Sequence, residues 1–146
     1  MRPINEAKLT FLSRSANESF ARTAAACFAA QLDPTLDEVN DIKTAVSEAV
    51  TNATVHAYPD VLGSITMRLR LFADNTLEIV VKDAGVGIED VARAREPLYT
   101  TGGEERSGMG FTIMESFMDA VRVRSVPGKG TTVTLRRKVS RRLGAV

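Results

Sequence analysis

The chain has 146 residues, nineteen Lys or Arg against eighteen Asp or Glu, and a net charge of +1. That length predicts a single domain, residues 1–146, burying roughly 68 to 70 per cent of the surface its unfolded chain exposes, and the charge balance argues neither for a nucleic-acid binder nor for a membrane-surface protein, so neither partner is expected. One cysteine, Cys27, excludes an internal disulfide and, in its alanine-rich segment, predicts a buried thiol; with no apolar run near the roughly 18 residues of a membrane span and no secretory apolar core, a cytoplasmic protein is expected.

Residues 8–13 alternate Leu9 and Phe11 with Lys8 and Thr10, the period of a half-buried strand. Ser15 with Glu18 has the spacing of a capping box, and a helix is predicted from there to about Leu32. Phe20, Ala24, Phe28 and Leu32 form its apolar face, and Glu18 and Arg22 form an i,i+4 pair on another. Asp33-Pro34 ends it. Thr35 with Glu38 opens a longer helix whose Val39, Ile42, Val46, Ala49, Val50 and Ala53 keep a 3.6-residue period up to Pro59. Strands are predicted over 64–72 and 76–82, joined as an antiparallel hairpin that delivers Asp83 to the sheet edge. A short helix over 89–95 follows, then a polar, glycine-containing loop from Pro97 to Ser107. A third main helix runs from Gly108-Met109-Gly110 to about Met118; strands carrying Val121 and Val123, then Val133 and Leu135, flank the turn Pro127-Gly128-Lys129-Gly130. The basic cluster Arg136-Arg137-Lys138 to Arg141-Arg142 reads as a solvated strand end and a frayed tail from about 137 to 146. Together these elements predict a two-layer α/β sandwich with a mixed, mostly antiparallel sheet and helices on one face.

Three stretches carry residue types suited to chemistry. Asp83-Ala84-Gly85-Val86-Gly87-Ile88 follows an apolar strand: glycines let the backbone lie against a flat ligand, and a carboxylate beside them can accept hydrogen bonds from an exocyclic amine such as that of adenine. A structural glycine turn is the alternative reading. Glu48 and Asn52, four apart, share one helix face; an amide oxygen suits Mg²⁺ and a carboxylate suits proton abstraction, whereas a solvated face needs neither. Gly108-Met109-Gly110 starts a helix, where backbone N–H groups and the positive dipole end favour phosphate, with Arg106 and Ser107 alongside. The only histidine, His56, lies near a helix end with no Cys/His cluster and reads as packing or capping.

Taken in order, Glu48-Ala49-Val50-Thr51-Asn52, Asp83 to Ile88 and Gly108-Met109-Gly110-Phe111 resemble the N, G1 and G2 boxes of the GHKL (Bergerat-fold) ATPase and kinase superfamily. The fuller runs Ser47 to Asn52, Glu96-Pro97-Leu98-Tyr99-Thr100-Thr101 and Arg106 to Glu115 resemble the anti-sigma F factor family of spore-forming bacteria, a likeness extending from Phe11 to Leu135. The resemblance implies a serine-protein kinase that also sequesters a sigma factor of RNA polymerase, uses ATP with Mg²⁺ (and holds ADP), and phosphorylates a small anti-anti-sigma protein. It implies Glu48 as general base, Asn52 as Mg²⁺ ligand and Asp83 as adenine acceptor. Gly85, Gly87 and Thr131 would line the base pocket; Thr101, Arg106, Ser107, Gly108, Met109 and Gly110 would form the phosphate side and lid. It further implies a homodimer whose first helix contacts partners, here through Glu18 and Arg22; for those two a surface ion pair is the alternative. Gly102-Gly103-Glu104-Glu105 is about one residue shorter than the family stretch and lacks its Lys-Pro, which implies a more flexible lid. A stress-sigma regulator of the same family, a histidine-kinase-like catalytic domain and a sigma-binding module without kinase activity are the other readings; the absence of a dimerising phosphoacceptor helix counts against the second.

Overall fold

The computed structural model describes residues 1–96 and 109–140. Strands β1 (Asn5–Leu12), β2 (Ser64–Leu71), β3 (Thr76–Asp83), β4 (Ala120–Val126) and β5 (Gly130–Lys138) form one sheet in the order β1-β2-β3-β5-β4. Every pairing is antiparallel, so the sheet is not mixed. Helices α1 (Ala16–Ala29), α2 (Leu36–Val55), α3 (Val91–Ala94) and α4 (Gly110–Phe117) complete the described elements, with a 3-10 turn over Ala30–Leu32.

Alternation along the strands divides the sheet into two faces. Opposed residues share a face, so Ala7, Leu69, Ile79, Leu135 and Val121 make one cross-strand row and Leu9, Met67, Val81, Val133 and Val123 the next. These rows meet Ile42, Val46, Ala49, Val50 and Ala53 of α2 in the core. β3 lies at the centre of the sheet. Asp83 is therefore at the end of the middle strand, not at a lateral sheet edge, and it shares the inward face with Phe11 and Ile65.

Thr35 and Glu38 form the expected capping box: Glu38 N–H donates to Thr35 Oγ1 at 3.2 Å and Thr35 N–H to Glu38 Oε1 at 2.9 Å. Ser15 forms none; its backbone is helical, and its side chain makes no cap hydrogen bond. The apolar face of α1 is also turned by one residue from the expected one. Ala21, Ala25 and Ala29 are fully buried against the body of the protein, while Phe20 is 50% exposed and rests edge-on against Phe11, 6.2 Å between centroids. Alanines have no bulk to hold the helices apart, so α1 lies directly on α2 along this row. The same rotation leaves Cys27 exposed rather than buried.

The end of β5 is anchored by side-chain bonds, although Arg136 and Lys138 stay exposed as expected. Arg137 donates to Asp41 at 2.8 Å and to the Phe117 carbonyl at 2.7 Å, and Arg136 Nε donates to Glu78 at 2.8 Å. Ser140 N–H reaches Glu38 Oε2 at 2.8 Å, closing the chain onto the start of α2. The loop read from Pro97 to Ser107 and the tail from Arg141 onward lie outside the described residues. No described helix is long and apolar enough to cross a membrane.

Candidate functional site

Two clusters form the candidate site, one on the C-terminal half of α2 and the other at the end of β3, packed against the residues that follow α2. Glu48 and Asn52, half-buried and four residues apart, face the first residue of α4. A Cβ placed on Gly110 would lie 3.3 Å from Glu48 Oε2, 3.4 Å from Asn52 Oδ1 and 3.5 Å from Asn52 Nδ2. The acid, the amide and the start of a helix thus converge, and glycine keeps the space between them clear of a side chain. Thr51, beside Asn52, donates its hydroxyl to Glu18 Oε1 at 2.6 Å. Glu18 is therefore tied across to α2 and not paired with Arg22, whose guanidinium reaches the Ser19 hydroxyl at 3.4 Å.

The second cluster surrounds Asp83. Strand alternation turns its carboxylate inward, where it is 7% exposed. Oδ1 accepts Gly85 N–H at 3.0 Å and Thr131 N–H at 3.2 Å, and among the described residues Oδ2 accepts no hydrogen bond. Burial pushes the carboxyl above its ordinary range, and the Gly85 and Thr131 N–H groups only partly offset that. Gly85 is required by proximity: a Cβ there would stand 2.1 Å from the Ala57 carbonyl oxygen. Gly87 adopts φ +77° and a Cβ there would stand 2.4 Å from the Val126 carbonyl oxygen, so a side chain is excluded on both counts. Val86 N–H donates to Ala57 O at 2.9 Å, and Gly128 N–H to Val86 O at 2.7 Å. The glycine stretch is thus pinned between the end of α2 and the β4–β5 turn.

Ala57 lies five residues beyond Asn52, about 7 Å along a helical rise. His56 is the C-cap between them, its backbone N–H donating to Asn52 O at 3.0 Å. The end of α2 and the turn just after it therefore space the acid–amide pair from the carboxylate pocket. Glu48, Asn52 and Gly110 come together at one end, Asp83, Gly85, Gly87 and Thr131 at the other, and Met109 is the N-cap of α4. Thr101, Arg106, Ser107 and Gly108 lie outside the described residues. Among the described residues no group of three or more His, Cys, Asp or Glu could hold a metal ion. A hard cation at Asn52 Oδ1 would take its remaining ligands from phosphate and water, as Mg²⁺ commonly does.

Sequence reasoning missed two residues of this pocket. The Tyr58 hydroxyl accepts Ala84 N–H at 2.7 Å and donates to Ser64 O at 2.8 Å, holding the chain just after Asp83. Ser125 Oγ accepts Ile88 N–H at 2.7 Å and lies 2.8 Å from Thr131 Oγ1. Parity with Val121 and Val123 places Ser125 on the inner face and was available in the sequence; Tyr58, just before Pro59, carries no such signal.

Residues 11–137 match the histidine kinase-like ATPase domain family. The chain is 57% identical over 138 residues to the anti-sigma F factor of Caldanaerobacter subterraneus subsp. tengcongensis, covering 94% of this chain and 96% of that one. It is 54% identical to the anti-sigma F factor of Geobacillus kaustophilus, covering 94% of each chain. Among solved structures, the RsbU and RsbW domains of Rv1364c from Mycobacterium tuberculosis superpose with a TM-score of 0.68 at 25% identity, over 95% of this chain and 33% of that one. The mycobacterial sensor histidine kinase MprB shares the fold, with a TM-score of 0.57 at 22% identity over 71% of this chain and 74% of that one. By a family match over residues 11–137 and identities above half along nearly the whole length, the chain belongs to the anti-sigma F factor family, built on the histidine kinase-like ATPase domain.

Proposed function

We propose that this chain is a cytoplasmic anti-sigma factor of the sporulation type that, as a homodimer, sequesters a sigma factor and inactivates its own antagonist by ATP-dependent phosphorylation of a serine. One ATP-binding domain, residues 1–146, would carry both activities. The observation that supports it most is the approach of Gly110 to Glu48 and Asn52, which places a carboxylate, an amide oxygen and a helix N-terminus around one small space.

In this reading Asp83 accepts the adenine amine on Oδ2 while Oδ1 holds its own loop, and Gly85, Gly87 and Thr131 shape the base pocket. Asn52 Oδ1 is the protein ligand for Mg²⁺, which when bound neutralises charge on the phosphates. Thr101, Arg106, Ser107, Gly108, Met109 and Gly110 form the phosphate side. Glu48 takes the proton of the incoming serine hydroxyl as its oxygen bonds to the γ-phosphorus and the bond to the ADP oxygen breaks. Glu18 and Arg22 on α1 are assigned to partner contact, with the Thr51 hydroxyl fixing the Glu18 carboxylate.

The test uses γ-labelled ATP and the anti-anti-sigma protein. Label is expected on one serine, and Glu48→Gln is expected to abolish transfer while still binding ATP. Transfer that survives in Glu48→Gln would refute the assignment of the base. Tight ATP binding by the wild type with no transfer would leave a sigma-binding module shaped by nucleotide.

A further inference from the structure

The outward face of the sheet is charged unevenly. In the row Glu6, Arg70, Glu78, Arg136 and Ala120, the Glu78 carboxylate is only 2% exposed and is clamped by guanidinium groups from both neighbouring strands, Arg70 Nε at 2.9 Å and Arg136 Nε at 2.8 Å. The next two rows read Lys8, Arg68, Val80, Thr134, Arg122 and Thr10, Thr66, Lys82, Thr132, Arg124. They hold five cations and no acid. Among the described residues, none of the five makes an ion pair or a side-chain hydrogen bond, and Arg68 Nε is buried from solvent without an acceptor. A buried donor left without a partner costs free energy that a ligand can recover.

We propose that these two rows dock an acidic polypeptide segment, whose carboxylates take the place that Glu78 occupies in the row beside them. The face shows the mode itself: one carboxylate received between cations from adjacent strands. Neighbouring strands lie about 4.8 Å apart, so Lys8 to Arg122 spans about 19 Å, the length of about six extended residues. Threonine hydroxyls at Thr10, Thr66, Thr132 and Thr134 lie between the cations and can bond a backbone. A long nucleic acid is a poorer fit. With these five set aside, fourteen cations face eighteen anions in the rest of the chain, which repels any polyanion that runs beyond the patch. This surface is separate from the Glu48–Asp83 site and does not depend on the proposed phosphotransfer.

The probe is a fluorescein-labelled peptide of about eight glutamates, titrated against the full chain by anisotropy at low ionic strength, with a short DNA duplex as the comparison. The peptide is expected to bind and to be released by salt. Arg122→Glu/Arg124→Glu, both at exposed positions, is expected to weaken it at least about tenfold with the melting temperature and ATP binding unchanged. Carbodiimide coupling of the peptide to the wild-type chain is expected at Lys8 and Lys82 in preference to Lys43, Lys129 and Lys138. Equal coupling at all five lysines, no peptide binding, or tighter binding of the duplex that is lost in the same variant would each overturn the proposal.

Discussion

In the proposed site Asp83 offers one oxygen to its own loop and the other to adenine, and separating the two tests the pocket. Asp83→Ala strands the Gly85 and Thr131 N–H groups that Oδ1 holds at 3.0 and 3.2 Å. At about 1–2 kcal/mol for each buried donor, the expected loss is about 2–4 kcal/mol of folding stability. Asp83→Asn keeps one oxygen for those donors and removes a carboxylate whose ionisation burial opposes, so its fold should be at least as stable near neutral pH. The sign follows from the raised pKa: the wild-type group favours the folded state below its unfolded value, near the ordinary 3.8, and that contribution is lost as pH rises through the higher folded value. The variant should therefore gain on the wild type as pH rises from acid toward neutral. For nucleotide the order reverses. Asn places an amide N–H₂ where Oδ2 would accept the adenine amine, forfeiting a charge-assisted bond of about 1.5–3 kcal/mol, or about ten- to hundredfold in affinity. Inosine triphosphate carries an acceptor at that ring position, so it should lose less or gain. Urea melts across pH and titrations with ATP and inosine triphosphate read both effects. An unchanged ATP preference in Asp83→Asn, or a fold as weakened as in Asp83→Ala, would refute this reasoning.

Tyr58→Phe removes the hydroxyl between Ala84 N–H and Ser64 O; KM for ATP should rise about three- to tenfold with kcat held, at a stability cost of about 1 kcal/mol. A fall in kcat with KM unchanged would contradict a positioning role. Gly85→Ala and Gly110→Ala should part company: the first drives a Cβ to 2.1 Å from a backbone carbonyl and should cost about 2–3 kcal/mol by thermal melt. The second meets only side-chain atoms at 3.3–3.5 Å and regains helix propensity, so stability should stay within about 1 kcal/mol while phosphotransfer falls. Glu78→Gln should destabilise by about 1–2 kcal/mol at neutral pH, since its two arginines are partly exposed. Burial pushes Glu78 up, but bonds from Arg70 and Arg136 hold it below its ordinary 4.5; its contribution is present above that value and lost as pH falls through the lower folded one, so urea midpoints of variant and wild type should converge in acid.

Much of this architecture is legible in the residues. Alternation of Ile65, Met67, Leu69 and Leu71 predicts β2 and its buried face, and the Thr35 and Glu38 box predicts where α2 begins. What was not legible depends on contacts distant in sequence. The 3.6-residue pattern of α1 fits a face through Phe20 as well as one through Ala21, and only packing on α2 favours the alanines, because a small side chain permits the closer approach. Glu18 likewise had a local partner four residues away, and a hydroxyl 33 positions on claims it instead. The basic run at the end of β5 read as solvated because Glu78, Asp41 and Asp119 are brought to it by strand register and helix placement rather than by sequence proximity.

Strand β3 carries two buried carboxylates whose partners differ in kind. Glu78 and Asp83 are both nearly inaccessible on the same strand, on opposite faces. Glu78 is met by two guanidinium groups, and the cost of burying its charge is offset within the chain. Asp83 receives only backbone N–H groups on one oxygen, and burial still raises its pKa. A protein selected for stability alone would place a neutral side chain at that strand end, where Asn serves the same two donors. An acid there fits the adenine contact proposed above, because a neutral amine donor arriving from outside would bond the carboxylate without competing for the loop that Oδ1 holds in place.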